Sequence, residues 1–458
     1  MDGVPRQGLR IAVIGTGISG LSAAWLLSSK HAVTVFESAS QPGGHCLTRL
    51  VDVPGKSVPV DMGFIVYNPP NYPNLSALFD HLGVATQDSH MSFGVSLDGG
   101  RLEYSGGSLG GLFAQPANAL RPRFWSMLRG LVRFYRQAPE DLDGLVQSGL
   151  TLGDYLEARG FGRAFCNDHL LPMAAAIWSA PAAGMRDYPA AAFIRFFSNH
   201  NLLSLTGRPA WRTVTGGSRI YVDRLVAGMA GVLRLNCAVS AIDRAPNGVL
   251  VSSRNGQTEW FDHVVLATHA DHALSLLSTP TATERKLLGA FRYSKNTAWL
   301  HTDERLMPKR RKAWSSWSVL GRDGDAGAPL CVTYWMNRLQ ALNTDQNIFV
   351  TLNPQPEVRA NRVLHSQSFE HPLFDKPALA AQQRLWTLQG QQNTWFCGSY
   401  FGAGFHEDGL QSGLAAAEAL GGVRRPWTAP NESSRICLSP HAAPPPVLAP
   451  AFVEAAAP

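Results

Sequence analysis

Gly15, Gly17 and Gly20 stand in the run Gly15-Thr-Gly17-Ile-Ser-Gly20, and Glu37 follows about 20 residues on. In a dinucleotide site these four residues have separate tasks. One glycine makes the tight turn, one admits the pyrophosphate, and one lets the helix pack closely on its strand. The N–H groups and dipole of the helix start then hold phosphate oxygens, while the carboxylate accepts from both ribose hydroxyls. A carboxylate at that place repels a 2′-phosphate, which leaves NAD or FAD as the expected cofactor.

The elements around this run suit the task. Arg10-Ile-Ala-Val-Ile14 is a short apolar run with β-branched residues, Leu21 to Ser29 has helical spacing, and Ala32-Val-Thr-Val-Phe36 is a second strand ending at Glu37. Strand, glycine turn, helix and strand form a βαβ start, so the expected fold is α/β and Rossmann-like. Farther on, Asn74 to Asn201 has helical patterns broken by proline and glycine. Its clearest stretch is Arg121 to Gln137. There Phe124, Trp125, Leu128, Leu131, Val132 and Tyr135 fall on one face and Arg129, Arg133 and Arg136 on another. Trp211 to Leu225 is a glycine turn and helix, Leu233 to Asp243 and Phe261 to Thr268 are expected strands, and Phe291 to Leu352 is expected sheet. Thr394 to Leu420 closes the pattern as strand, glycine-rich loop and helix.

The expected organisation is therefore discontinuous. Residues 1–75, 206–290 and 390–425 make a cofactor domain, 76–205 and 291–389 an interleaved α+β substrate domain, and 426–458 a disordered tail rich in proline and alanine. The chain has 458 residues, 45% hydrophobic and 16% charged, enough to bury a large core, which excludes a disordered chain or a disulfide-stapled miniprotein. A net charge of +6 from scattered arginine argues against nucleic-acid binding. The six cysteines show no CxxC pair and no zinc-site spacing, so they are expected to be reduced thiols in a cytoplasmic protein with no metal. No signal peptide and no membrane-length apolar run is expected.

Several further motifs occur in order: Gly43-Gly44, Val60-Asp-Met-Gly-Phe64, Gly216-Gly217-Ser218, Leu266-Ala-Thr-His269 and Gly402-Ala-Gly-Phe-His-Glu-Asp-Gly409. With the opening fingerprint they resemble the flavin-containing amine oxidoreductase superfamily over about residues 10 to 425. Tyr67 to Asn74, Pro172 to Ser179, Trp211 to Arg219 and Trp395 to Gly402 are similar to a bacterial branch of FAD-binding oxidoreductases related to the N-terminal flavoprotein domain of plant cyclopropane fatty acid synthases. The resemblance implies FAD, a fold of the glutathione-reductase and amine-oxidase type, and an oxidoreductase. It also implies a hydrophobic substrate, such as a methylated or cyclopropane fatty acyl chain of a lipid, and a lipid methyltransferase as partner. Amine oxidation, or a non-catalytic flavoprotein beside such a methyltransferase, are the alternatives.

By the same resemblance Gly15, Gly17, Ser19 and Gly20 hold the pyrophosphate, Glu37 the adenosine ribose, and Gly43 and Gly44 pass close to the cofactor. Val239 pairs with adenine, Gly63 approaches the flavin ring, and Thr268 and Gly398 complete the lining. Gly409 and Leu410 begin the last helix at the flavin pyrimidine. His45 stands where the superfamily usually has arginine. Ser399 stands where it usually has an acid, with Glu407 or Asp408 as substitutes. Because flavin itself performs hydride chemistry, a protein base is optional. Lys295 lies near the position of the lysine that reaches the flavin through water in amine oxidases, or is an ordinary exposed lysine. His406 is an acid or base candidate, or part of a polar loop that caps the last helix through Asp408. Tyr400 and Phe401 either flank the flavin or belong to the core. His45 beside Cys46 raises covalent flavin attachment, against which a packed thiol beside a phosphate-contacting histidine is the plainer reading. The Arg121 to Gln137 helix either rests on anionic lipid at the inner membrane face or packs in the core with solvated arginines.

Overall fold

The computed structural model describes residues 8–178, 184–199, 201–204, 209–321 and 331–438. Its centre is a five-stranded sheet, entirely parallel, in the order Thr394–Phe396, His263–Leu266, Arg10–Ile14, Ala32–Phe36, Val232–Arg234. Val13 sits between Val265 and Val35 in register. These strands are continuous apolar runs because both faces of the sheet are covered, one by helices and the other by a small antiparallel sheet whose Phe261 meets Phe36. The helix Ile18–Leu27 packs along the last helix, His406–Gly421, and nearly every residue between them is buried. An antiparallel sheet of Val239–Ala245, Gly248–Ser253 and Thr258–Phe261 stands beside the parallel one.

Facing this unit is a seven-stranded sheet in the order Val363–Leu373, Arg292–His301, Phe349–Leu352, Cys331–Trp335, Trp317–Gly321, Phe93–Leu97, Leu102–Ser105. All its pairings are antiparallel except that of Trp317–Gly321 with Phe93–Leu97. Helices between Pro122 and Asn199 complete the roof.

Three local expectations change. The stretch 86–105 forms three strands inside the region expected to be helical. Leu233 to Asp243 divides into two strands at a turn where Asn236 adopts a positive φ of 52°. The helix Pro122–Glu140 buries Phe124, Met127, Phe134, Tyr135 and Ala138, leaving Trp125 and Val132 on the outside. The apolar stripe drawn from spacing alone is thus rotated, because Met127 packs with Val95, Leu97, Leu102 and Tyr104 of the sheet while Phe134 and Ala138 enter the main core.

Residues 426–438 do not form a disordered tail. Trp427 stacks on Trp25 at 6.0 Å, Ile436 is buried in the main core, and the partly buried Arg435 guanidinium pairs with Asp408. Residues 439–458 and Ser179 lie outside the described residues.

Candidate active site

One cavity of about 790 Å³ runs between the two sheets. Its narrow polar end is built from the opening βαβ unit. Gly15 has φ +102°, and a Cβ there would lie 2.8 Å from the Ala267 carbonyl oxygen, so only glycine makes this turn. At Gly20 a Cβ would lie 2.0 Å from the Gly15 oxygen, which explains the third glycine as a close helix-on-strand contact. Gly17 has nothing within 4 Å on that side and opens onto the cavity. No side chain caps the helix that starts at Ile18, so its first N–H groups are available to an anion. Glu37 closes this end. Its carboxylate accepts from Thr16 N at 3.0 Å and Ala39 N at 2.8 Å while lining the cavity.

Ser19, Gly44, His45, Gly63, Thr268, Gly398 and Gly409 line the same cavity, as do Tyr400 and His406. Gly20 and Gly43 stand behind the lining, the latter donating its N–H to the Thr16 carbonyl at 3.1 Å. Val239 lies outside the lining at the bulged start of its strand, and Leu410 is fully buried in the core. Asp408 is likewise outside. Its carboxylate accepts from Phe405 N at 2.7 Å and pairs with Arg435, so it caps the last helix. Glu407 accepts from Asn74 N and Leu75 N, each at 3.0 Å, and fastens the helix Pro73–Leu82. With both carboxylates engaged away from the cavity, neither substitutes for the acid expected in place of Ser399, which itself lines the cavity.

Of the two readings of Lys295, the structure shows the ordinary exposed lysine. Its side chain is 83% exposed and lies 3.8 Å from Glu370, its partner on the neighbouring strand, whereas the next residue, Asn296, is buried and bonds His371 at 3.0 Å. Strand alternation sends the two side chains to opposite faces, and the lysine takes the wet one.

His406 begins the last helix, stacks on Phe64 at 4.0 Å and shares a hydrogen bond with the Tyr221 hydroxyl. Burial pushes its pKa down to about 3, and the positive end of the helix dipole acts in the same direction. His45, packed 4.9 Å from Phe369, is pushed to about 3 by burial and by the imidazoles of His371, His269 and His406. Both are neutral at pH 7, so neither His406 as a proton donor nor His45 as a stand-in for a cationic arginine is available in that form. Cys46 is a buried thiol hydrogen-bonded to Tyr221, and burial raises its pKa. Such a thiol is not poised for attack.

The sequence motif around Asp61 has a structural meaning that its residue types did not announce. Asp61 is buried, accepts from Ser218 N at 3.0 Å, Ser218 Oγ at 2.8 Å and Gln340 Nε2 at 2.8 Å, and is pushed up to about 6 by burial. It ties the Gly216-Gly217-Ser218 turn to the hairpin Thr48–Asp61 and to the seven-stranded sheet. His269, His272 and Glu370 also meet at the cavity, their ligand atoms within 4.8 Å of one another, with His269 Nδ1 3.3 Å from Glu370.

The opposite end of the cavity is apolar. Met173, Ile177 and Trp178 come from the helix Leu171–Trp178, Phe196 from Ala190–Asn199, and Trp317, Tyr334, Leu352 and Phe369 from the seven-stranded sheet. Trp178, Phe196 and Phe405 form one aromatic cluster, with ring centroids at 4.6 and 4.8 Å. Trp178 Nε1, Trp317 Nε1 and Tyr400 Oη are buried and have no hydrogen-bond partner among the described residues. All three residues line the cavity, where a ligand or a water can supply the acceptor. Trp178 falls in a quoted motif but had no assigned task, and nothing local marked Trp317. Their convergence is tertiary.

An open glycine turn, an uncapped helix start and a carboxylate at the second strand end define an FAD-binding α/β fold of the amine-oxidase type. The chain belongs to the flavin-containing amine oxidoreductase family, whose pattern matches residues 18–339. A putative flavin-containing monoamine oxidase AofH of Mycobacterium tuberculosis is 26% identical over 370 residues, covering 77% of this chain and 72% of that protein. A putrescine oxidase bound to putrescine shares the fold at TM-score 0.64 and 14% identity, over 90% of this chain and 99% of that one. A fatty acid isomerase from P. acnes shares it at TM-score 0.59 and 16% identity, over 90% and 98%. The protein is an FAD-dependent oxidoreductase of amine-oxidase type. The residues at the polar end fit that cofactor: Gly15 to Ser19 would hold the diphosphate and Glu37 the ribose.

Proposed function

We propose that the substrate is a modified fatty acyl chain of a lipid, methylated or carrying a cyclopropane ring, which the enzyme oxidises or desaturates. The observation that carries this reading is the apolar wall of Met173, Ile177, Trp178, Phe196, Leu352 and Phe369, which fits a hydrocarbon and expels water from it. Bound FAD supplies the acceptor for the hydride. The chain's own residues bind, orient and keep the site dry. The Trp178 and Trp317 indoles donate to a substrate acceptor, for which an ester carbonyl is the matching group. His406, neutral and stacked on Phe64, shapes the wall without moving a proton.

Amine oxidation is the second reading, favoured by Glu370, a carboxylate in the cavity wall. That carboxylate already faces His269 at 3.3 Å and Lys295 at 3.8 Å, so an ammonium group meets a partly neutralised partner. The test is anaerobic. Purified holoenzyme is mixed with phospholipid carrying methylated or cyclopropane chains, or with a panel of amines, and the oxidised flavin band is followed. Bleaching by the lipid is expected; bleaching by an amine alone would overturn the lipid reading. Silence from both, with a lipid methyltransferase co-purifying, would favour a non-catalytic partner of that enzyme.

A further inference from the structure

We propose that the surface formed by Leu109, Leu120 and Trp125, together with Lys309 and Lys312, docks the enzyme on an anionic lipid bilayer. Leu109 is 79% exposed, Leu120 87% and Trp125 42%, and a short series of contacts links them. Phe113 donates its N–H to the Leu109 carbonyl and lies 6.0 Å from the Trp125 ring, whose Nε1 donates to Ala119 O at 2.8 Å beside Leu120. Isolated exposed leucines are ordinary on a soluble surface, whereas two leucines grouped around a half-exposed tryptophan are the composition of an interfacial anchor.

The charge around the patch selects its partner. The basic run Lys309-Arg-Arg-Lys312 leads into the turn Arg311–Ala313, which packs beside the helix Leu109–Leu112. Arg310 is used internally by the buried Glu103, and Arg311 pairs with Glu304 and lies over Trp314. Lys309 and Lys312 are exposed, and among the described residues no carboxylate pairs with either side chain. Arg121 adds a further positive charge, tied to Asn118 Oδ1 at 3.1 Å and so held beside Leu120. Apolar tips between unpaired cations complement the interface of a bilayer with anionic headgroups.

This patch differs from the arginine face that helical spacing suggested. Arg133 lies over the Phe161 ring at 4.0 Å and donates to Arg159 O, so it serves the fold. The patch also adjoins the cavity. Gly106 N donates to Phe93 O at 3.0 Å, Gly107 packs on Ser92, and Ser92 and Phe93 line the cavity wall. Docking there would bring one rim of the cavity close to the acyl region. The docking proposal does not rest on the lipid-substrate reading, because vesicle binding is measured without turnover.

The test is flotation of the full-length holoenzyme with vesicles of phosphatidylcholine alone and of phosphatidylcholine mixed with phosphatidylglycerol, at low and high salt. Binding to the anionic vesicles that weakens with salt is expected. Lys309→Gln and Lys312→Gln should each weaken partitioning about fivefold, the equivalent of one lysine at an anionic surface. Leu120→Asp should weaken it at least as much, with flavin content unchanged as the check on folding. An absence of binding to anionic vesicles overturns the proposal, as does binding that these variants leave intact. Self-association abolished by Leu120→Asp without vesicle binding would also overturn it, assigning the patch to a second copy of the chain.

Discussion

The two ends of the cavity are made in opposite ways. At the polar end, one short stretch, Gly15 to Ser19, faces the space, with glycines at 15 and 17 baring the backbone at the turn. At the apolar end, side chains fill the wall, drawn from two helices and a seven-stranded sheet. The first arrangement suits a ligand common to many enzymes, because N–H groups and a helix start recognise phosphate whatever the rest of the chain does. The second suits a ligand particular to one enzyme, since aromatic and aliphatic shape can vary without disturbing the cofactor grip. Substitutions at the polar end should therefore remove flavin, and those at the apolar end should change the substrate while flavin stays.

The sharpest break is Gly20→Val. Its Cβ would sit 2.0 Å from the backbone oxygen of Gly15, which no side-chain movement relieves. A loss of about 3 kcal/mol or more in stability is expected, with the protein recovered colourless or insoluble. Yellow, stable Gly20→Val protein would refute the close-packing account of the third glycine. Next in size is Glu37→Ala. Removing a charged acceptor of two hydrogen bonds should cost about 1.5–3 kcal/mol of cofactor affinity, read as flavin lost during gel filtration. Unchanged flavin content would count against placing the ribose at Glu37.

How much of this was visible in the sequence follows the same division. The polar end was legible because its residues are contiguous and its chemistry demands glycine, helix start and acid at fixed spacing. Of the paired readings at Asp408 and Lys295, the structure takes the plainer one in each case, a helix cap and an exposed lysine: their neighbours in sequence line the cavity, yet helix or strand periodicity turns these side chains away. Asp408 in addition meets Arg435, from a segment whose proline and alanine content suggested no structure. The apolar wall was not legible as a wall. Phe196, Trp317 and Leu352 are ordinary core-type residues until the sheet and helices bring them around one space.

Acid should test the buried imidazoles of the cavity. His406 and His371 line it, and burial lowers their pKa values to about 3 and about 4, below the unfolded value of 6.5. Below pH 6.5 the unfolded chain binds more protons at these sites, so their stabilisation is complete above 6.5 and is lost as pH falls toward 4. The slope is about 1.4 kcal/mol per pH unit for each group. Asp61 opposes them. Its folded pKa of about 6 exceeds the unfolded 3.8, so it makes the fold more stable as pH falls through that window. His45, pushed to about 3, and His301, pushed to about 4, act in the same direction as His406 and His371, so the histidines outweigh the one carboxylate and the melting temperature should fall between pH 6.5 and 4.5. Asp61→Asn should steepen that fall, and a melting temperature that rises with acid would refute the assignment.

A smaller effect is expected from Trp178→Phe and Trp317→Phe, which keep the ring and remove one N–H donor each. Losing a neutral hydrogen bond is worth about 1 kcal/mol, so each should raise KM roughly fivefold for a substrate bearing an ester carbonyl, with flavin content unchanged. An equal change for a hydrocarbon without an acceptor would show that the indoles act by shape alone.

Lys295→Ala should do least, and its small effect is informative. In an enzyme whose lysine reaches the flavin through water, removing that lysine should impair turnover strongly. Here the side chain is 83% exposed and makes only a 3.8 Å contact with Glu370, a surface pair worth about 0–1 kcal/mol. Turnover and flavin reoxidation should therefore change by less than about fivefold. A much larger loss, with Glu370→Gln leaving activity intact, would mean that the lysine swings inward when the site is filled, and the division between a catalytic cofactor end and a merely shaping protein wall would have to be redrawn.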